Sequence, residues 1–431
     1  MKKSLLALAA LSAIAGAAQA QSSVTVYGIL DVGFIGGNTT SNNSAAAAPT
    51  QTTVKTTGNQ FGQSAESTSR LGFKGTEDLG GGKQALFTTE FALAPQEADI
   101  SGNSNLGLQN RQTFVGLHQN GLGQVAVGTQ YTGIHNAAAA TDPGQLNNMM
   151  GNVIYAYSSG PAANAATTAG GNTIAYTVRM SNALTAQSDA FAGFRVNGMA
   201  VLNNKNTTVG TTGVTGGNFN TNGWGLGVDY TWKNLYATAQ YQALKQNATG
   251  ATTGVQIFNA AGLAPYTLTS NAPATTAGAA VGANTIAVNA AQGQNVQDNQ
   301  TYVAATYDFG ILKAYAQYVS RKATATYDTS IYAKRAAEQI GVRSFITPTI
   351  EGWASAGLGR YTAMGAGQPT ANFNAWQLGS NYWLSKRTNL YAIYGATTVS
   401  NYANVTATGA AATGTSSQSG QNYAVGVRHT F

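Results

Sequence analysis

In the stretch GWGLGVDYTW, residues 223–232, Trp224, Leu226, Val228, Tyr230 and Trp232 fall on every second position. Gly225, Gly227, Asp229 and Thr231 fill the gaps. A period of two marks a strand with two unlike faces. The same alternation opens at Val24-Thr25-Val26-Tyr27 and recurs at Val125-Ala126-Val127. It returns at Trp376, Leu378 and Tyr382, and again at Tyr423, Val425, Val427, His429 and Phe431. The connections between such segments are of two kinds that take turns. Short ones fall at 78–82, 119–122, 181–184, 233–234, 308–310, 347–350 and 385–387. Long ones, rich in Asn, Thr, Ala and Gly, fall near 35–65, 96–107, 132–168, 202–220, 247–297, 323–332, 364–371 and 401–420.

About sixteen strands joined alternately by tight turns and long loops describe an all-β chain, a transmembrane antiparallel β-barrel. Long structureless loops argue against a compact soluble domain. A sheet that enters hydrocarbon must close on itself, because its backbone groups find no partners there. A soluble β-helix would carry a fixed short repeat, and none is visible. Tyr230 and Trp232, Tyr302 and Tyr307, Tyr382 and Trp383, and Tyr391 and Tyr394 lie near segment ends, where girdles of interfacial aromatics are expected.

Residues 1–20 have a basic start, an apolar Leu/Ala run and an Ala18-Gln19-Ala20 end. They read as a secretory signal peptide, leaving residues 21–431 as one barrel domain. No later run approaches the ~18 apolar residues of a membrane-crossing helix. Charged residues make up 9% of the chain, against about 25% in ordinary globular proteins. Setting aside Lys2 and Lys3 leaves 20 basic against 15 acidic residues, an excess of +5. That excess is spread along the chain, so no nucleic-acid partner is expected. Residues 121–126 (GLGQVA) fit G-x-G-x-x-A, but a strand follows where a dinucleotide fold needs a helix. His118, His135 and His429 show no metal-ligand spacing, and no Gly-x-Ser-x-Gly elbow is present. The expectation is a non-enzyme with no cofactor, no metal and no catalytic residue.

VTVYGILDVG, SRLGFKGTEDLGGG, RQTFVGL, GSNYWLSKRTNLYAIYG and the terminal VGVRHTF occur in that order along the chain. Together they resemble the Gram-negative general porins, in the flavour of β-proteobacterial trimeric porins. The resemblance implies a homotrimer of sixteen-stranded barrels in the cell outer membrane. Each would hold its own water-filled pore, narrowed by an inward-folded third loop that faces a cluster of arginines. It implies passive diffusion of small hydrophilic solutes and ions. It also implies partners in outer-membrane lipid, lipopolysaccharide and the assembly machinery, which would read Phe431 as a C-terminal signal. A substrate-specific porin for a sugar or organic acid, and a barrel serving mainly as a surface adhesin, stay open.

Alternation assigns the faces. If Leu71 and Phe73 meet lipid, Arg70 and Lys74 point inward. An Arg facing lipid at the midplane would cost ~2–4 kcal/mol. In the following strand Phe87, Thr89 and Phe91 share the outer face and Glu90 the inner one. In RQTFVGL the same count puts Gln112 and Phe114 outside and Arg111 and Thr113 inside. The resemblance places Arg70 and Arg111 in the arginine ladder and Lys74 and Glu90 on the same wall. Two departures weaken that wall: residues 160–177 contain no arginine, and Thr129 stands at another expected Arg position. Asp142 is the acid of the third loop, which also carries Gln145, Asn147, Asn148, Tyr155 and Tyr157. Two or three cations against Asp142 and Glu90 predict weak anion preference, stronger if Asp142 lies away from the water. His135, in that loop, is expected to add a pH-dependent charge.

Overall fold

The alternation becomes a sheet closed on itself. The computed structural model describes residues 23–45, 51–101, 107–156, 174–207, 217–249, 267–270, 285–288, 295–326, 328–363, 370–405 and 411–431. The expected signal peptide and Tyr157 lie outside these. In chain order the elements are β1 (Ser23–Ala45), β2 (Gln51–Gln63), β3 (Arg70–Gly80), β4 (Lys83–Ala92), β5 (Asn110–Gln119), β6 (Gly123–Tyr131) and α1 (Gly133–Thr141). There follow β7 (Arg179–Ser188), β8 (Phe194–Thr207), β9 (Gly217–Trp232), β10 (Leu235–Thr249), β11 (Thr267–Ser270) and β12 (Thr285–Val288). The chain ends in β13 (Val296–Asp308), β14 (Lys313–Ala325), β15 (Tyr332–Phe345), β16 (Ile350–Ala363), β17 (Thr370–Trp383), β18 (Thr388–Val405) and β19 (Ala411–Thr430). β11 and β12 form a separate parallel pair, and the other seventeen strands form one sheet.

Closure runs through β1. One edge pairs antiparallel with β19, from Ile29↔Thr430 to Ala45↔Gly414. The other pairs with β3 below, from Ser23↔Thr76 to Ile29↔Arg70, and with β2 above, from Val32↔Gln63 to Ser44↔Gln51. β2 and β3 are therefore two halves of one stave, and the seventeen strands make a barrel of sixteen. Closure leaves no open edge, which satisfies every ladder hydrogen bond internally.

Residues 64–69 interrupt that stave by turning inward. The Asp31 carboxylate is buried and accepts hydrogen bonds from the backbone N–H of Glu66 (2.9 Å) and Ser67 (2.7 Å). The Tyr391 hydroxyl donates to it as well. Glu66 in turn receives Asn389 and pairs with Arg428 at 3.5 Å. A buried carboxylate with three donors is a strong local organiser.

Burial follows the period. In β14, Tyr315, Gln317, Val319, Arg321 and Ala323 are buried, while Ala316 and Tyr318 between them are exposed. Leu226, Val303, Ile340, Leu358 and Leu378 are exposed on the outside, as expected of a barrel face set in hydrocarbon. Of the expected girdle aromatics, Tyr230, Trp232, Tyr307, Tyr382 and Tyr394 do face out. Tyr302 and Tyr391 instead face in, where their hydroxyls bond Thr141 and Asp31. Trp383 also points inward, donating to Glu351.

Several expected connections differ. Residues 181–184 are not a turn but lie inside β7. Ser181 and Asn182 form a bulge there, with Asn182 at φ 53°, and this explains their turn-like composition. The real reversal is residues 189–193, where Asp189 accepts from the Gly121 N–H and lies 3.1 Å from His118 Nε2. Much of the expected loops at 35–65, 202–220 and 401–420 is strand, because β1, β2, β8, β9, β18 and β19 continue pairing there.

Candidate constriction of the barrel

One stretch of inner wall gathers cations. Glu90 on β4 is buried, and its Oε1 lies 2.7 Å from Arg111 Nε and 3.8 Å from Arg70 Nη1. Its Oε2 accepts from the Tyr27 hydroxyl at 3.2 Å. Arg111 Nη2 donates to the Tyr131 hydroxyl at 2.7 Å. The Arg179 guanidinium stands 5.9 Å from the Tyr131 ring centre. Lys74 is exposed one rung lower, its Nζ 5.4 Å from the Tyr27 ring. Arg70 also donates to the Thr68 carbonyl at 2.8 Å, which ties it to the inward segment 64–69.

Arg111 reaches this wall by a route that simple alternation misses. Glu90 pairs with Gln112 and Phe91 with Asn110, so Arg111 is an extra residue in the ladder. The bulge lets Arg111 and Gln112 both approach Glu90 from the inside. Beyond it the parity is reversed from the expected one. Phe114 faces in with Gln112, and Thr113, Val115 and Leu117 face out and are exposed. Thr129 pairs with Thr113 on that outer face. An Arg at Thr129 would not have joined the wall.

Arg179 is the residue that sequence reading missed. Residues 160–177 hold no arginine, but the first residue of β7, just beyond, is one. It pairs in register with Tyr131. That pairing, with basic character at a strand start after the third loop, was the available signal.

The third loop leaves β6 at Thr132, whose Oγ1 accepts from the His135 N–H and caps α1. α1 buries Ile134, Ala137, Ala138 and Thr141. The loop then crosses to the far wall, which holds it by its backbone. Arg343 donates to the Pro143 carbonyl (2.7 Å) and Arg335 to the Val153 carbonyl (2.6 Å). Gln377 Nε2 donates to the carbonyls of Met149 (3.0 Å) and Met150 (2.6 Å), and Gln339 accepts from the Val153 N–H (3.1 Å). Asn148 reaches across to the Ser64 carbonyl (2.7 Å) and Thr68 Oγ1 (3.0 Å). The loop is thereby tied to the inward segment beside Arg70. Arg321 and Arg343 are spent in ion pairs with Asp298 and Glu351.

Asp142 corrects an expectation. It sits in the loop but is 2% exposed. Oδ1 accepts from Asn152 (2.8 Å) and Gln339 (3.0 Å), and Oδ2 from the Leu146 N–H (2.8 Å). Its carboxylate therefore folds the loop rather than facing the water. Burial pushes this carboxyl above the usual carboxylate range, against those hydrogen bonds and the charge of Arg343.

His135 stacks on Tyr131, ring centres 4.1 Å apart. Burial, then the charges of Arg179, Arg111 and Arg70, hold its imidazole well below the ordinary 6.5. It stays neutral where a pH-dependent charge was expected. In an opened loop it would titrate normally, so loop stability is full above pH 6.5 and falls as pH drops below it. An open-state imidazole is half protonated at pH 6.5 and about nine-tenths protonated at pH 5.5, which multiplies the open population about fivefold. Hydrogen exchange of the α1 amides, corrected for intrinsic rates, should therefore accelerate up to about fivefold from pH 6.5 to 5.5. His135→Phe should remove the acceleration.

Gly395 of β18 gives the loop its seat. A Cβ there would overlap the Met150 carbonyl. Gly395→Val should lift the loop tip without breaking β18, which would show as new protease cleavage within residues 144–151.

With this geometry established, comparison with known proteins can be stated. A family model described as Gram-negative porin matches residues 7–402. An outer membrane porin protein of Bordetella pertussis is 38% identical over 162 residues, covering 35% of this chain and 40% of that protein. The chain thus spans about two fifths of this curated relative's length. An anion-selective porin from Comamonas acidovorans superposes with a TM-score of 0.58 at 21% identity, covering 95% of this chain and 100% of that one. The trimer form of OmpT, a Vibrio cholerae outer membrane protein, gives 0.55 at 12%, covering 95% and 99%. At such identities the structures speak for the fold, whereas the family model spans most of the sequence. This chain belongs to the Gram-negative porin family.

Proposed function

We propose that the protein is an outer-membrane channel for passive diffusion of small hydrophilic solutes and ions, with anion preference. The observation that carries this is the charge of the inner wall. Among the described residues, Arg70, Arg111 and Arg179, with Lys74 one rung lower, gather around one acid, Glu90, and the third loop's acid, Asp142, is turned into the loop. Rings of like charge at a narrow point select ions of opposite sign. No step in this reading makes or breaks a bond. The anion-selective Comamonas relative and the trimer form of the Vibrio protein support the preference and a homotrimer.

The same reading covers the chain's ends and surroundings. Residues 1–20 would direct export. The outer face would meet lipid and lipopolysaccharide. Phe431, whose backbone pairs with Gly28 at the closing seam, would be read by the assembly machinery. Single-channel recording in planar bilayers under a salt gradient tests the proposal. Expected are ohmic steps in triplets and a zero-current potential of the sign set by anion flow. A potential of cation sign would overturn the selectivity, and absence of steps the channel itself.

A further inference from the structure

The inner wall behind α1 carries a second feature, unlike the arginine cluster. Gln124 pairs in register with Gln187, Gln187 with Asn197, Asn197 with Gly227 and Gly227 with Gln240. This is one inward row across β6 to β10, with neighbouring strands ~4.8 Å apart. At Gly227 the row has no side chain, and the Gln240 amide folds over the gap, where any Cβ would collide with it. The row lines a cavity of about 320 Å³ between the wall and α1, with Asn136 of α1 opposite.

Gln240 ends the row engaged with Asp229 and Thr238, but the other amides of the row are unspent, which separates them from the rest of the lumen amides. On the far wall Gln300, Gln317, Gln339 and Gln377 are all engaged with the loop, its neighbours or one another. Gln124, Gln187, Asn197 and Asn136 make no side-chain hydrogen bond among the described residues. A carboxamide offers two donors and an acceptor, which matches a hydroxyl's own donor and acceptor. The charges present are balanced: Arg195 and Asp229 pair in register on adjacent strands. Asp229 is further satisfied by Tyr236, Thr238 and Gln240. Phe114 and Tyr236 are among the residues lining the cavity.

We propose that this amide row is a binding track for a neutral polyhydroxylated solute of mono- to disaccharide size, lying beside the arginine-lined eyelet. Balanced charge favours a neutral ligand, and aromatic lining residues suit the apolar C–H surface of a sugar-like ring. The volume stands at the lower end of small-molecule sites, ~300–1,000 Å³. The track deepens the channel reading and rests on it.

The test uses the full-length protein in planar bilayers with sucrose as the probe. Conductance in salt alone is read first, so failure of the channel reading is seen separately. Adding sucrose should then lower single-channel conductance saturably, beyond the fall in bulk conductivity. The double variant Gln187→Leu/Asn197→Leu should keep the salt-only conductance and raise the half-blocking concentration at least tenfold. A fall that only follows bulk conductivity, or a double variant blocked like the parent, overturns the track. Calorimetric titration of the detergent-solubilised protein with sucrose decides the same question without channel activity: heat in the parent and none in the variant supports it, and no heat in the parent overturns it.

Discussion

Replacing Arg70 and Arg179 together by Glu is expected to invert the channel's ion preference. Immediately around Glu90, Arg70, Arg111 and Arg179 stand against one acid, a local balance of +2, with Lys74 one rung lower. The double exchange leaves Arg111 against three acids, a balance of −2. A unit charge ~6 Å from a permeating ion in water contributes ~0.7 kcal/mol, or about threefold in relative permeability. Each Arg→Glu exchange moves two units, about tenfold for each ion in opposite senses, and so shifts the anion-to-cation ratio by up to about a hundredfold before salt screening. Two exchanges carry a weakly anion-preferring channel well past neutrality. Arg111 is left alone deliberately, because it bonds both Glu90 and Tyr131 and its loss would strand a buried acid. Arg70→Lys/Arg179→Lys should keep the original sign. An unchanged zero-current potential in the double Glu variant would remove both residues from the ion path.

The faces of Arg70, Lys74 and Glu90 were readable from the sequence because β3 and β4 keep strict period two up to them. The reading broke where a strand carries one residue too many. At Arg111 the bulge turns the residue inward and flips everything after it, so Phe114 was placed on the wrong side. At Ser181-Asn182 a second bulge imitated a turn. A single added residue exchanges the two faces of a strand, and no local composition announces it. Tyr302 is a different case. It shares parity with Asp298 and Gln300, so its inward position was countable, and its aromatic character hid it among the girdle residues.

Loops have no period, which is why Asp142 could be located in the chain but not aimed. Its direction depends on Gln339, far away in sequence, and on Asn152. Arg179 was overlooked for a related reason. Where β7 begins is decided by how the third loop returns to the wall, and the sequence offers no marker for that return. The inward turn at 64–69 was equally hidden, since it depends on Asp31, Tyr391 and Arg428 meeting across the closing seam.

The third loop should come loose in Arg335→Leu/Gln377→Leu. Arg335 donates to the Val153 carbonyl and lies 4.6 Å from the Phe373 ring centre. Gln377 donates from Nε2 to the Met149 and Met150 carbonyls and accepts at Oε1 from Asn147 Nδ2. A hydrogen bond from a charged donor contributes ~1.5–3 kcal/mol and a neutral one ~0.5–1.5. One of the former and three of the latter amount to roughly 3–7 kcal/mol of loop anchoring. Leu at 335 keeps the apolar contact with Phe373 and Tyr361, so the wall itself is preserved. Every ladder hydrogen bond of β15 and β17 is backbone-to-backbone and survives. The barrel should therefore unfold at nearly the parent temperature while its eyelet changes. Open-channel current should become noisier, and liposome-swelling assays should admit larger uncharged solutes than the parent passes. If noise and size limit both match the parent, the backbone clamps on the far wall do not set the width of the pore.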